Sequence, residues 1–321
     1  MPTAWHITNT SGMLFSLTKP NYPNAAIGIE NASVTAVALQ KQGRGQFSIR
    51  QAATVPIAAG VLEPSFLDRN IQDTDEFAAC LEAAVVNSGL MNQKRWSVAL
   101  PSNAARSAII TLDAVPAAKA ESEEIFDWKA EQAFGAPAAT LRISKQKISP
   151  SREGRPRYFA TAVTLGVIDE YESVFERFGW KAGLILPRAV GEANWLISRV
   201  DKSDSLLISE QSDGFTALLL RGDQPTVVRT VTCLQSEIDD EVYRLLMFYN
   251  DRFGGEAGGG YLERILLVGR ELIPAKIANI AAESLGKTLQ ILTPADVGLS
   301  LPDTGFNFDE LAAPAALAAL A

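Results

Sequence analysis

Few residues in this chain are able to carry chemistry. Its 321 residues include one histidine, His6, and two cysteines, Cys80 and Cys233. A single imidazole supplies neither a Ser-His-Asp triad nor a two-histidine metal site, and it leaves acid–base catalysis without a second ring. The cysteines lack CxxC spacing. Cys80 falls on the apolar side of a predicted helix and Cys233 at the end of a predicted strand, so both read as buried free thiols of a reducing compartment. Glu121, Glu123, Glu124 and Asp127 fall at the start of a predicted helix, where carboxylates suit the positive end of the dipole; a solvated face accounts for them better than a metal site. Gly254-Gly255 and Gly258-Gly259-Gly260 imitate a phosphate loop, but they precede a strand instead of joining a strand to a helix, and they read as a connector. Trp128, Phe134, Phe175 and Phe178 recur at helical spacing, which suits core packing, with a peptide groove as the alternative.

Composition narrows the classes further. With 47% hydrophobic and 21% charged residues and a mean hydropathy of +0.06, the chain has soluble globular composition and enough apolar material for two cores. Lys and Arg total 29 against 37 Asp and Glu, a net charge of −8. No basic cluster offers the face that a phosphate backbone needs, so nucleic acid is not an expected partner. No stretch reaches the roughly 18 apolar residues of a membrane-spanning helix, and no signal peptide is legible. The chain reads as cytoplasmic.

The elements that must position any site are legible in order. Residues 1–24, with Pro20 and Pro23 and no apolar periodicity, read as a flexible lead-in. Ile27 to Glu30 and Val34 to Leu39 are strands around the turn Asn31-Ala32-Ser33, and Phe47 to Val55 is a third. Thr74 caps a helix with Phe77, Leu81, Ala84 and Val85 on one stripe, and Trp96 to Leu100 is a buried strand. The same order returns over 205–292: strands around Ser212-Asp213-Gly214, a third at Pro225–Thr232, a helix striped by Ile238, Val242, Leu245 and Tyr249, then a strand at Arg264–Val268. Pro274 opens a further helix that Gly286 stops, and Thr288–Leu292 is a last strand. Between the halves, 101–180 reads as a small inserted αβ unit, with strands near 107–112, 141–148 and 158–164 and helices near 121–134 and 171–178. The expected division is a first lobe of 25–100 plus 181–202, the insert 101–180, and a second lobe of 203–321. The Ala-rich end around Pro314 reads either as a closing helix or as a frayed tail.

Two facing strand-strand-strand-helix-strand halves resemble the actin-like ATPase fold. An insert in the first half is similar to the cell-division protein FtsA and the type IV pilus assembly protein PilM. MLFSL, AIGIENASVTAVAL, WSVALPSNAARSAIITLDAVP, EEIFDWKAEQAFGAPAATL, EVYRLLMFYNDRF and ERILLVGRELIPAKIANIAAESLGKTLQIL resemble the PilM family in unbroken order from about Met13 onward. The resemblance implies an α/β bilobal fold whose groove, between insert and first lobe, holds the cytoplasmic N-terminal peptide of a PilN-like inner-membrane protein. It implies attachment to the inner membrane through that partner rather than by insertion, contact with other pilus platform components or ATPases, and in many members ATP with magnesium between the lobes.

The loops that would hold the nucleotide depart from the family pattern. The first, usually D-x-G-S-S-S-x-K, reads Glu30-Asn31-Ala32-Ser33-Val34-Thr35, with no glycine and with Thr35 where a lysine is common. The second, usually D-x-G with a later Thr, reads Ser209 to Thr216, where Glu210 and Asp213 would repel phosphate and Gly214 remains. At the adenosine-side turn Val268-Gly269-Arg270-Glu271 stands for a Gly-rich run. The resemblance makes Glu30, Asn31, Ser33, Thr35, Gly214 and Gly269 the degenerate positions of a nucleotide site. The expectation is an adaptor with no catalytic residue, cofactor or metal. The alternatives are an actin-fold ATPase or sugar kinase, or a type II secretion adaptor resembling GspL, a family that usually continues into a membrane helix where this chain stops.

Overall fold

The computed structural model describes residues 22–113, 119–197, 203–253, 262–302 and 305–321. His6 and the glycine runs 254–255 and 258–260 lie outside the described residues, as does the lead-in up to residue 21. Tyr22 already packs against the body, and Asn24 accepts a hydrogen bond from the Leu39 amide (3.1 Å).

The first half begins with β1 (Ala25–Glu30), β2 (Ser33–Gly43) and β3 (Gln46–Pro56), followed by α1 (Thr74–Asn87) and β4 (Arg95–Leu100). The insert supplies β5 (Arg106–Thr111), α2 (Lys119–Phe134), β6 (Leu141–Ile148) and β7 (Arg157–Thr164). Then come α3 (Leu165–Arg177), β8 (Lys181–Pro187) and α4 (Arg188–Ile197). The second half is β9 (Asp204–Gln211), β10 (Gly214–Arg221), β11 (Gln224–Thr232), α5 (Ile238–Phe253), β12 (Leu262–Val268), α6 (Pro274–Leu285), β13 (Gln290–Leu292), β14 (Leu299–Ser300) and α7 (Phe308–Ala318).

Local chemistry explains the helix ends. Asp73, not Thr74, caps α1 by accepting from the Asp75 and Glu76 amides at 3.1 and 3.0 Å. Thr74 is the first helical residue instead. Pro274 fits the first turn of α6, where its missing N–H costs nothing, and Gly286 ends that helix at φ 65°.

The strands form a six-stranded sheet in the order β14-β3-β2-β1-β4-β8, a five-stranded sheet β11-β10-β9-β12-β13, and a three-stranded sheet β5-β7-β6. Side-chain alternation sorts them into layers. On β1, Ala25, Ile27 and Ile29 face a core closed by α1 and α3, where Phe77, Tyr171 and Phe175 lie. Ala26 faces a second core, shared by both large sheets through α4 and α7. On β9, Leu207 points into that shared core, whereas Leu206 and Ile208 point outward to α5 and α6. A small fourth core joins the insert's sheet to α2 through Ile110, Phe126 and Phe134.

Two expected boundaries move. Residues 165–177, expected in the insert, form α3, whose Val167, Ile168 and Val174 belong to the first lobe's core; that helix packs where its apolar stripe finds a partner. The end of the chain, expected in the second lobe, returns to the first: β14 pairs in parallel with β3, Leu299 opposite Phe47. The Ala-rich end is a helix, α7, buried from Leu311 to Ala318. It passes so close to β1 that a Cβ at Gly28 would lie 2.9 Å from the Pro314 ring. Among the described residues no helix is long and apolar enough to cross a membrane.

Candidate functional site: an interlobe cleft and a groove between sheet edges

A cleft of about 670 Å³ lies between the lobes. It is built by the β1–β2 turn, the β9–β10 turn, the bend after β12 and the start of α7. The β1–β2 register pairs Glu30 with Ser33, so Asn31 and Ala32 make the turn and Ser33 is already in the strand. Glu30, Asn31, Ser33 and Gly269 line the cleft. Thr35 does not reach it. Thr35 is buried in β2, and its hydroxyl lies 3.0 Å from that of Thr54, its cross-strand partner on β3. Gly214 is also absent from the lining. Its φ of 140° and the 1.9 Å that would separate a Cβ from the Val231 carbonyl oxygen show that sheet packing requires a glycine there.

Sequence reasoning missed the residue at the centre of this cleft. Arg188, the first residue of α4, is buried, and its guanidinium meets Glu30 at 3.0 Å and Glu192 at 2.6 Å and donates to the Asp309 carbonyl at 3.0 Å. Burial works against the Arg188 charge, but Glu192 and Glu30 more than offset it and hold its pKa above the ordinary value. Glu30 behaves oppositely. Burial pushes its carboxyl upward, Arg188 pulls it down, and Glu192, Glu310 and Asp309 add to the rise.

Several further donors of the lining are also occupied. The Gly269 amide donates to Asp309 Oδ1 (2.9 Å) and the Glu271 amide to Glu210 Oε2 (3.0 Å). Arg270 pairs with Glu310. Across the mouth, Asn103 Nδ2 donates to Ser212 Oγ (3.2 Å) and Asp213 Oδ1 (3.0 Å). Carboxylates outnumber guanidiniums on this lining: Glu30, Glu210, Glu271, Asp309 and Glu310 against Arg188 and Arg270.

A second cavity, about 620 Å³, separates the insert from the first lobe. Its walls are two sheet edges. Among the described residues β6 pairs with β7 alone and β8 with β4 alone, so each strand turns an unpaired side toward the groove. Leu100, Ile143, Ile168 and Leu184 make much of it apolar. Arg142 reaches across to Glu172 on α3 with a two-pronged ion pair at 2.5 and 3.0 Å. None of the aromatic candidates lines it. Phe134 and Phe175 are core residues, Phe178 is half-buried and stacks on Trp180 at 4.6 Å, and Trp128 is 55% exposed on α2.

The other candidates are placed without bringing further chemistry together. Glu123 pairs with Lys145. Among the described residues no group of three or more His, Cys, Asp and Glu is placed to hold a metal ion. Cys80 is buried, whereas Cys233 is only half-buried, because β11 ends at Thr232 and leaves the thiol just past the sheet. Burial raises both thiol pKa values, a poor setting for a nucleophile.

No protein-family profile matches the sequence. No curated protein matches it either. Among solved structures, the chain is similar to a chain of the PilM–PilN type IV pilus biogenesis complex, at 16% identity over 94% of this chain and 98% of that one, with a TM-score of 0.71. A protein of Bacteroides thetaiotaomicron with an actin-like ATPase fold follows at 14% identity over 94% and 98%, TM-score 0.48. The cytoplasmic domain of EpsL, an inner-membrane component of the type II secretion system of Vibrio cholerae, aligns at 11% identity over 91% and 94%, TM-score 0.47. The chain has a PilM-like, actin-like bilobal α/β fold.

Proposed function

We propose that this protein is a non-catalytic adaptor of a type IV pilus inner-membrane platform, or of a related secretion platform. It holds the extended N-terminal cytoplasmic peptide of a PilN-like membrane protein in the groove between β6 and β8. The observation that carries this reading is the pair of unpaired strand edges facing one apolar groove. Exposed edges are normally blunted or covered, and an extended segment laid between these two would satisfy their main-chain groups while its side chains enter the apolar walls. The likeness to a chain of the PilM–PilN complex supports the choice of partner. On this reading the protein resides in the cytoplasm and gathers at the inner membrane only through its partner.

The adaptor reading includes the absence of catalysis. Phosphate held in the cleft would have to displace Asp309 and Glu210 from the Gly269 and Glu271 amides, against an acidic lining. The competing reading, an ATP-binding member of the fold, has the volume of the cleft in its favour. Calorimetry with ATP and magnesium separates the two: the adaptor gives no heat of binding, and a tight isotherm would remove the non-catalytic reading.

The groove is tested with the partner's N-terminal peptide immobilised on beads. Wild-type protein is retained, and Ser144→Trp, which puts bulk into a half-buried position of the β6 wall, reduces retention at least tenfold. Failure to bind at millimolar peptide would remove the adaptor reading.

A further inference from the structure

The bend after β12 has the features of an anion site and holds no room for one. Gly269 sits at φ 148°, and a Cβ there would lie 2.3 Å from Cβ and Oε2 of Glu210. The glycine therefore admits a carboxylate of this same chain. Glu210 turns back onto the Glu271 amide (3.0 Å), and Asp309, from the N-terminal turn of α7, takes the Gly269 amide (2.9 Å). These acceptors come from different places: Glu210 from the end of β9, Asp309 from a helix packed largely on the first sheet. Asp309 is engaged at both ends, because its carbonyl accepts from Arg188, which also holds Glu30 of β1. Asn103, from the loop after β4, closes the mouth onto Ser212 and Asp213.

We infer that the anion-binding bend of the cleft is blocked by an internal latch centred on Asp309, in which the chain's own carboxylates take the Gly269 and Glu271 amides that would otherwise receive an anionic ligand. The separation of the lobes is then set by the sequence and not by occupancy of the cleft. The inference is independent of what fills the groove on the other side of β8. Its physical basis is the geometry of the donors: a backbone N–H donates one strong bond, and these two already donate at ordinary hydrogen-bond distances to charged acceptors. A ligand has to break such bonds before it makes its own.

Hydrogen–deuterium exchange on the full chain tests the latch. Asp309→Ala removes the acceptor and is expected to speed exchange of the Gly269 amide about tenfold, the effect of losing one hydrogen bond to a charged group. Asp309→Asn keeps an acceptor oxygen in the same place and is expected to restore most of the protection. Asn103→Ala, at an exposed bridge, speeds exchange in the Ser212–Gly214 turn and leaves the fold intact, which keeps the test open if Asp309→Ala fails to fold. Inorganic triphosphate at millimolar concentration is expected to leave the wild-type pattern unchanged. Unchanged exchange at Gly269 in Asp309→Ala, unchanged exchange at the turn in Asn103→Ala, or protection of Gly269 and Glu271 by triphosphate would each overturn the inference.

Discussion

Arg188 and the acidic groups around it set the residue-scale energetics of the cleft. Its guanidinium is buried, and removing it would leave Glu30 and Glu192 facing one another with no cation between them. Breaking a buried pair costs about 3–5 kcal/mol, so Arg188→Met is expected to destabilise the protein by that order in a denaturant titration. Glu30 makes the opposite prediction. Its folded-state pKa is raised, chiefly by burial, so the unfolded chain ionises first as pH increases. The resulting penalty is absent below the ordinary carboxylate pKa, grows as pH rises toward the raised folded value, and is complete above it. Glu30→Gln is therefore expected to flatten this loss, with its relative stability greatest at neutral pH and the advantage gone in acid; a melting series across pH reads the slope. Side-chain direction explains what the sequence could tell. The β1–β2 turn at Asn31 and Ala32, flanked by the pair Glu30 and Ser33, is legible because hairpin turns announce themselves. Thr35 was misplaced because the direction of a side chain beyond a turn depends on register, and here it faces Thr54.

At the scale of elements, α7 decides how the two sheets meet. It is apolar all round because both faces are covered, so it carries no 3.6-residue stripe that would separate a helix from a tail. Alanine is what lets it fit: Ala312, Ala315 and Ala316 are at most 1% exposed, and Trp195 Nε1 donates to the Ala312 carbonyl at 2.8 Å. Ala315→Leu inserts methylene groups into this packed layer and is expected to cost about 1–3 kcal/mol, read from the denaturation midpoint. Gly28→Ala makes the same test from the strand side, because the Pro314 ring cannot rotate away as a flexible chain would. Helices with one apolar face, such as α3, α5 and α6, were legible from periodicity and end signals. The partner of such a face was not: α3 has the same stripe whether it packs on the insert or on the first lobe, and only the assembled core separates them. The pairing of β14 with β3 is a contact between distant parts of the chain that no local pattern announces.

Across the whole molecule, the repeated order of elements made the bilobal architecture legible, while the cavities depend on how separate parts meet. The groove exists because the insert holds β6 away from β8, and the insert itself is tied to the second lobe: Arg157 donates to the Thr226 carbonyl and Gln224 accepts from the Ser149 amide, each at 3.3 Å. β6 carries the charges common on edge strands, Arg142, Lys145 and Lys147, but composition does not say which other edge it faces. Peptide capture by two such edges has a spatial signature that no other mode of binding shares. The most direct measurement is hydrogen exchange of the full protein with and without the partner's N-terminal peptide. Protection confined to amides of Leu141–Ile148 and Lys181–Pro187 is the predicted footprint. Protection of the bend at Val268–Glu271 with none along those two strands would contradict the account.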